Sequence, residues 1–216
     1  MPRHALIEQR PWLLASLAAG ISFYFIADSQ LPGLYLLAWK GAGVALLAVY
    51  ALVRGRTADA RQIAAVMAFG ALGDVLIELA MEWGAAAFLA GHLVAIQLYL
   101  RHRRAALSLS QKLTGLALLV LTPLIAWQLT ASPLVAVYAL GLGAMAASAW
   151  RSSFPRYRVG LGAVLFVASD LLIFARTGVL AQSALPGLLI WPLYYFGQFL
   201  ICIGVVGELR ERERAI

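Results

Sequence analysis

The stretch from Gly73 to His92, GDVLIELAMEWGAAAFLAGH, places ionisable side chains inside strongly apolar sequence. It carries Asp74, Glu78 and His92, and the apolar runs that contain it, 62 to 80 and 84 to 101, are each long enough to cross a bilayer. An ionisable group inside a membrane span is costly and usually marks a functional site. We therefore expect these side chains to face the interior of a bundle of transmembrane helices.

The composition excludes a soluble domain. Hydrophobic residues make up 62% of the 216 residues and charged residues 12%, and the mean hydropathy is +0.84. A chain of this size cannot bury so much apolar surface in a soluble core, so it is expected to be a polytopic membrane protein. The single cysteine, Cys202, has no intramolecular partner, and no disulfide framework is expected.

Eight apolar runs predict an all-α bundle of eight transmembrane helices in one membrane domain, residues 1–216. The runs fall at 12 to 27, 33 to 53, 62 to 80, 84 to 101, 111 to 130, 133 to 151, 157 to 175 and 186 to 207. The breaks between them are predicted at Pro32 and Gly33, Gly55, Gly84, Ser132 and Pro133, Pro155, and Pro186 with Gly187. The MPRHALIEQRPW segment is expected to lead into a retained first helix, since no convincing cleavage site follows it.

The basic residues predict the orientation. Fifteen of the 17 lie before the first run or after the second, fourth, sixth and eighth: Arg3, Arg10, Arg54, Arg56, Arg61, Arg101, Arg103, Arg104, Lys112, Arg151, Arg156, Arg158, Arg210, Arg212 and Arg214. Under the positive-inside rule both termini are cytoplasmic, and we expect a multi-pass protein of a bacterial inner (plasma) membrane. Because these charges are spread over every cytoplasmic connection, the net charge of +7 does not indicate nucleic-acid binding.

Two halves of the chain, 1–108 and 109–216, are similar in where they place polar groups. FGALGDVLI (69 to 77) resembles LFVASDLLI (165 to 173), FLAGHLV (88 to 94) resembles YFGQFL (195 to 200), and Lys40-Gly-Ala-Gly43 resembles Leu140-Gly-Leu-Gly143. Each pair lies four helices apart, so the halves would form a parallel repeat about an axis along the membrane normal. Chance similarity between apolar helices is the alternative. The repeat predicts that Asp74 and Asp170 lie at the same depth.

Four of the polar residues directly follow a small one, as in Gly73-Asp74, Gly91-His92, Ser169-Asp170 and Gly197-Gln198. Small residues let helices approach closely in a bilayer, where no hydrophobic force drives helices together. These pairs are therefore expected at helix contacts, with the polar group shielded from lipid.

Two aspartates are the leading catalytic candidates. Asp74 and Glu78 are one helical turn apart, and Glu82 is expected to continue their face to the membrane edge. Two acids this close do not both ionise readily in a low-dielectric environment, which suits a general acid. The alternative for these acids is a structural hydrogen bond or an ion pair with Lys40. Asp170 lies deep in its own apolar run without an adjacent acid.

The other candidates would bind or orient. His92 could shuttle protons, orient an aspartate or be a hydrogen-bonded core residue. Lys40, well inside the second run, could meet a phosphate or act as the counter-ion of an aspartate. A polar face on the last helix is expected from Tyr194, Tyr195 and Gln198, with Tyr138 as a weaker candidate. No metal-ligand spacing, nucleophile elbow, phosphate loop or paired-cysteine motif is present, so no metal and no cofactor are expected.

These motifs together resemble the YhhN family, the eight-helix membrane proteins that include the lysoplasmalogenases. The resemblance is carried by Gly73-Asp74, Phe88-Leu-Ala-Gly-His92, Ser169-Asp170 and Tyr194-Tyr195-Phe-Gly-Gln198, with Lys40, Tyr138 and Met145 also fitting. It spans nearly the whole chain. One departure is Ala95, where the family often has a tyrosine three residues after the histidine.

The resemblance implies hydrolysis of the vinyl ether bond of a lysoplasmalogen, a lysophospholipid, to a fatty aldehyde and a glycerophospho-alcohol. Asp74 and Asp170 would divide the acid and base roles, and Glu78 beside Asp74 favours Asp74 as the acid. The expected partners are this lysophospholipid and membrane lipids. The alternative is a small proton-coupled transporter or lipid-handling protein in which the same acids relay protons.

Overall fold

The computed structural model describes residues 11–215, which form eight α-helices and no β-strand. The helices are α1 (Pro11–Ile26), α2 (Gly33–Arg54), α3 (Ala58–Leu79), α4 (Met81–Arg101), α5 (Leu109–Thr130), α6 (Pro133–Arg151), α7 (Leu161–Ala175) and α8 (Leu185–Arg214). A π-helical turn, Arg156–Gly160, leads directly into α7. The predicted all-α class is confirmed for this part of the chain. The predicted basic flank with Arg3 and Arg10 lies outside the described residues.

Seven of the helices are long and apolar enough to cross a membrane, with the π-helical turn and α7 counted as one span. The first helix is equally apolar but has only 16 residues, which is fewer than the roughly 20 that cross a bilayer without tilt or thinning. The seven long helices indicate a multi-pass membrane protein. The predicted number of helices is thus confirmed, and a membrane-spanning length is found for all but α1.

The break between α3 and α4 lies at Ala80, so its predicted position at Gly84 is wrong. Ala80 is extended, with φ −157° and ψ 128°, and it separates the two helices by one residue. Gly84 lies inside α4 and allows close packing on α3, because a Cβ there would lie 2.5 Å from the Cβ of Ile77. Glu82 consequently sits in the first turn of α4 and does not continue the α3 face of Asp74 and Glu78.

Three helix starts are explained by capping residues visible in the sequence. Thr57 caps α3 and Ser132 caps α6, each through a side-chain oxygen that accepts a backbone N–H. Ser108 caps α5 in a full capping box with Gln111. These local hydrogen bonds satisfy backbone donors that a helix leaves unpaired at its start.

By its internal contacts the chain divides into two compact units, Met1–Gly91 and His92–Ile216. In the first unit α1 packs on α2, where the Ser16 hydroxyl donates to the Gly43 carbonyl over 2.5 Å. The α2–α3 contact is close at Gly41, where an added Cβ would lie 2.8 Å from Val75 Cγ2. The single domain and the half-repeats expected from the sequence stay predictions.

In the second unit α5 packs on α6, and α7 packs on α8. The α7–α8 contact is close at Gly162 and Gly197, since a Cβ on either would lie within 2.8 Å of the carbonyl oxygen of the other. Backbone-to-backbone contact of this kind holds helices together in lipid through van der Waals packing. It fixes the position of α7, which carries Asp170, against α8, which carries Gln198.

Candidate functional site

A chain of side-chain hydrogen bonds inside the second unit joins three residues that the sequence singled out. The Tyr138 hydroxyl on α6 donates to Asp170 Oδ2 on α7 over 2.7 Å. His92 Nε2 on α4 lies 3.4 Å from the same hydroxyl, which is a long hydrogen bond. Three helices therefore contribute one side chain each to this group, which we call the His92–Tyr138–Asp170 relay.

The relay fixes the direction of its hydrogen bonds. The Tyr138 hydroxyl donates its single proton to the hydrogen bond with Asp170, so its oxygen is the acceptor of the hydrogen bond from His92 Nε2. This hydrogen-bond arrangement assigns the Nε2–H tautomer to His92. Within residues 11–215 Tyr138 is the hydrogen-bond partner of the Asp170 carboxyl, and Oδ1 makes no hydrogen bond there.

The relay is enclosed by protein. Asp170 is 6% exposed and His92 is 3% exposed. Phe166 makes an edge contact with the His92 ring, with centroids 5.1 Å apart, and a second one with Tyr194, also at 5.1 Å. Aromatic edges and faces of this kind pack favourably and exclude water. Tyr194 is therefore joined to the relay through Phe166, a residue that the sequence analysis did not identify.

The remaining α8 candidates are buried beside Tyr194. Tyr195 is stacked on Trp191 at a centroid distance of 5.9 Å and an interplanar angle of 16°. Gln198 is 2% exposed, and its Oε1 has no hydrogen-bond partner among residues 11–215. A buried amide oxygen without a partner is costly in a protein interior, so it is a candidate acceptor for a ligand or water.

Asp74 lies buried on α3 in the first unit, with 2% of its surface exposed. The preceding residue, Gly73, meets the ring of Phe88 on α4, because a Cβ there would lie 2.8 Å from that ring. The burial that the sequence predicted for Asp74 is confirmed, and its predicted catalytic role stays a prediction.

The other small residues that precede a polar group also lie at helix contacts. Gly91 packs against Phe69 on α3, with 3.1 Å between an added Cβ and the Phe69 Cβ. Ser169 donates from its hydroxyl to the Ile190 carbonyl over 2.9 Å. Gly197 meets Gly162, as described above. The predicted use of small residues to bury the polar ones is therefore confirmed at all four positions.

Lys40 and Glu78 form an ion pair in the first unit. Lys40 Nζ lies 2.6 Å from Glu78 Oε1, and the two side chains are 16% and 53% exposed. An ion pair with Lys40 was the alternative left open for Asp74 and Glu78, and it is present at Glu78. The lysine compensates the charge of Glu78, so Glu78 repels a negative charge on Asp74 less than the sequence alone suggested. The argument for Asp74 as the acid is weaker for this reason.

The described residues hold no group of three or more His, Cys, Asp or Glu side chains that could bind a metal ion.

Sequence reasoning ranked Tyr138 below the α8 residues, whereas the structure places it at the centre of the relay. It missed Phe166 because a phenylalanine in an apolar helix carries no distinguishing signal. Asp170 Oδ1 makes no hydrogen bond within residues 11–215 and could take part in proton transfer. His92 on α4 and Tyr138 on α6 hold the carboxyl group in position.

Most of the chain matches a known protein family. Residues 35–205 match the YhhN family, a range that covers well over half of the 216 residues and includes every candidate from Lys40 to Gln198. The resemblance seen in the sequence is thereby confirmed. No curated protein and no solved structure matches the chain.

Proposed function

The chain belongs to the YhhN family, and from this membership and the His92–Tyr138–Asp170 relay we propose that it is a membrane-embedded hydrolase of lysoplasmalogens. The reaction would cleave the vinyl ether bond with water and release a fatty aldehyde and a glycerophospho-alcohol. The observation that carries the proposal is the buried Asp170 carboxyl, in which Tyr138 holds Oδ2 while Oδ1 makes no hydrogen bond within residues 11–215.

Vinyl ethers are cleaved by acid. A proton is added to the alkenyl carbon that is not bonded to oxygen, and the double-bond electrons form that C–H bond. The resulting oxocarbenium-like cation takes up water, which loses a proton to give a hemiacetal. The hemiacetal then breaks its bond to the glycerol oxygen, which leaves with a proton as the alcohol. The site must therefore supply one carboxylic acid and one carboxylate, as in glycosidases.

Asp170 is proposed as the acid, with Oδ1 giving the proton to the substrate. The Tyr138 hydroxyl, which already donates to Oδ2, would stabilise the negative charge that develops on the carboxyl group as the proton leaves. His92 would hold Tyr138 in place by donating to its oxygen. The water that adds to the cation would give its proton to the second carboxylate. That proton would leave with the glycerol oxygen, and the hemiacetal hydroxyl would return a proton to Asp170, so both groups are regenerated in each cycle.

Asp74 is proposed as the second carboxylate, which stabilises the cation and activates water. The reason for assigning the acid role to Asp170 is the difference in surroundings. Asp170 has an oriented hydroxyl donor, while the expected repulsion between Asp74 and Glu78 is reduced by Lys40. The role of Asp170 is argued from Tyr138 in the second unit, and the role of Asp74 is argued from Glu78 and Lys40 in the first unit.

The remaining polar residues are proposed to bind substrate and water. Gln198 Oε1, which has no partner within residues 11–215, would accept a hydrogen bond from the attacking water. Tyr194 or Tyr195 would hold that water or the ether oxygen. Lys40 would meet the substrate phosphate with the ammonium N–H groups that its bond to Glu78 does not use.

A turnover assay tests this proposal. The purified protein in detergent is supplied with a lysoplasmalogen, and release of fatty aldehyde is followed for the wild type, Asp170→Asn and Asp74→Asn. We expect each substitution to lower kcat by roughly 10²–10⁴-fold, the range of a lost acid or base. Asp28→Asn, which changes an exposed aspartate in the turn after α1, is the matched control and should keep full activity. Full activity in Asp170→Asn would remove this residue from the mechanism.

A proton-coupled carrier is the second candidate, because a histidine, a tyrosine and an aspartate in hydrogen-bonded sequence can also pass a proton. The same assay distinguishes the two functions. A carrier releases no aldehyde in detergent, whereas its transport of protons into proteoliposomes would be lost in Asp170→Asn.

A further inference from the structure

A pocket of about 600 Å³ opens in the second unit between α4, α5 and α6, at the end of these helices where basic residues gather. Its volume lies within the range of small-molecule sites, roughly 300–1,000 Å³. Seven of its twelve lining residues are aliphatic: Ile96, Leu100, Ala105, Leu107, Leu119, Ala144 and Ala147. None of the relay residues lines it, and on α4 it begins about 6 Å of helix beyond His92 at 1.5 Å per residue.

Three arginines line the polar side of this pocket, and Arg104 is the one whose side chain makes hydrogen bonds within residues 11–215. Arg104 donates from Nε to the Ser152 carbonyl over 2.7 Å and from a terminal nitrogen to the Phe154 carbonyl at 3.4 Å. These bonds fix the loop after α4 to the end of α6. Arg104 therefore has a structural role that accounts for its presence.

Arg103 and Arg151 have no such explanation. Both line the pocket and are exposed, and neither guanidinium group makes a side-chain hydrogen bond or ion pair within residues 11–215. The stem of Arg151 crosses α5 at Gly115, where an added Cβ would lie 2.6 Å from Arg151 Cδ. None of the described lining residues is acidic, so two guanidinium groups border an apolar cavity without a counter-charge.

We propose that this pocket binds an acidic phospholipid of the surrounding bilayer, with the phosphodiester against Arg103 and Arg151 and the first acyl methylenes in the apolar part. Guanidinium groups pair with phosphate oxygens through two parallel hydrogen bonds, which makes arginine suited to this contact. Basic pockets between transmembrane helices are suited to lipid head groups. A free phosphate ion would gain nothing from the apolar lining.

The lining continues into surface that an acyl chain can follow. Leu100 lines the pocket and is 56% exposed, and Leu116 and Val120 on α5 are 57% and 43% exposed. Exposed apolar side chains on a membrane helix are expected to meet lipid tails. A diacyl lipid could thus keep its chains in the bilayer while its head group occupies the pocket.

Native mass spectrometry of the full chain in detergent tests the proposal, with dioleoyl phosphatidylglycerol as the probe. We expect one tightly retained lipid, and we expect Arg103→Gln with Arg151→Gln to weaken its binding roughly 25-fold, from about a fivefold loss per guanidinium group. The matched control is Arg56→Gln with Arg61→Gln, which removes the same charge from exposed residues outside the lining and should leave binding unchanged. Dioleoyl phosphatidylcholine should bind much more weakly than the acidic lipid.

A second variant separates the apolar part of the site from its charge. Ala144→Leu narrows the pocket and keeps both arginines, so we expect it to weaken retention of phosphatidylglycerol while the protein elutes as the wild type does in gel filtration. If the Arg56→Gln, Arg61→Gln control loses as much lipid binding as the Arg103→Gln, Arg151→Gln variant, the proposal is overturned, because the effect would then be one of net charge. Displacement of the lipid by millimolar inorganic phosphate, or equal binding of phosphatidylcholine, would overturn it as well. Aldehyde release is not used as a readout, so failure here is independent of the proposed hydrolase activity.

Discussion

The Tyr138 hydroxyl lies 2.7 Å from Asp170 Oδ2 and joins α6 to α7 across 32 residues of sequence. This bond orients a buried carboxyl group, whose other oxygen makes no hydrogen bond within residues 11–215. A tyrosine that donates to a carboxyl oxygen can do so whether the group is protonated on the other oxygen or ionised. The contact is therefore compatible with a carboxyl group that gives up a proton and recovers it.

Tyr138→Phe removes this hydrogen bond and keeps the ring. We expect kcat for lysoplasmalogen cleavage to fall by roughly 10–100-fold, because a hydrogen bond to a charged group contributes about 1.5–3 kcal/mol. KM should change little, since Tyr138 is proposed to act on Asp170. Steady-state kinetics of the purified variant measure both constants. An unchanged kcat would contradict the role of Tyr138 as a positioning residue.

The activity of His92 variants should depend on whether the new side chain keeps a hydrogen-bond donor. His92→Gln retains an N–H group that can reach the Tyr138 oxygen, whereas His92→Leu retains none. We expect His92→Gln to keep several times more activity than His92→Leu, with both folded by gel filtration. Equal loss in the two variants would indicate that His92 contributes by packing on Phe166 and not through the relay.

The Lys40–Glu78 ion pair predicts a non-additive effect on stability. Lys40→Met and Glu78→Gln should each lower the midpoint of thermal unfolding in detergent, because each leaves the other charge without its partner. The double variant should be less destabilised than the sum of the two, with a coupling of up to about 1 kcal/mol for a pair this exposed. Strict additivity would mean that the pair contributes nothing. A raised KM in Lys40→Met alone would support a second role in phosphate binding.

The close contact of Gly162 with Gly197 predicts a strong response to added volume. Gly162→Ala places a Cβ 2.6 Å from the Gly197 carbonyl oxygen, so α7 and α8 must move apart. We expect a destabilisation of about 1–3 kcal/mol, as for other overpacked sites, visible as a lower unfolding midpoint. Gly187→Ala is the control, since nothing lies within 4 Å of a Cβ there. Equal stability of the two variants would contradict the packing described.

The end of α5 offers a stabilising substitution. Ala131 adopts a left-handed conformation, with φ 51° and ψ 21°, which costs roughly 1–2 kcal/mol for a residue other than glycine. Ala131→Gly should therefore raise the unfolding midpoint. Ala136→Gly, inside α6, should lower the free energy of unfolding by about 1 kcal/mol and so lower the midpoint. Differential scanning calorimetry of both variants measures whether the midpoint rises in Ala131→Gly and falls in Ala136→Gly.

Much of the architecture could be predicted from the sequence because the information is local. A run of apolar residues in a bilayer must satisfy its backbone hydrogen bonds within itself, which makes it a helix whatever its neighbours are. Capping residues such as Ser108 and Ser132 then mark where helices begin. The position of Ala80 was missed because an extended alanine between two helices has no sequence signal, whereas Gly84 resembles a break and is a packing residue.

The sequence by itself determined that this protein is a helical membrane protein of the YhhN family, with aspartates and a histidine inside apolar helices beside small residues. Only the tertiary structure decided which polar groups meet: Tyr138 with Asp170 and His92, and Lys40 with Glu78. The physical reason is that a helix apolar on every side does not encode its own rotation. Which side chain faces which neighbour is set by packing at positions such as Gly162 and Gly197, between residues far apart in the chain.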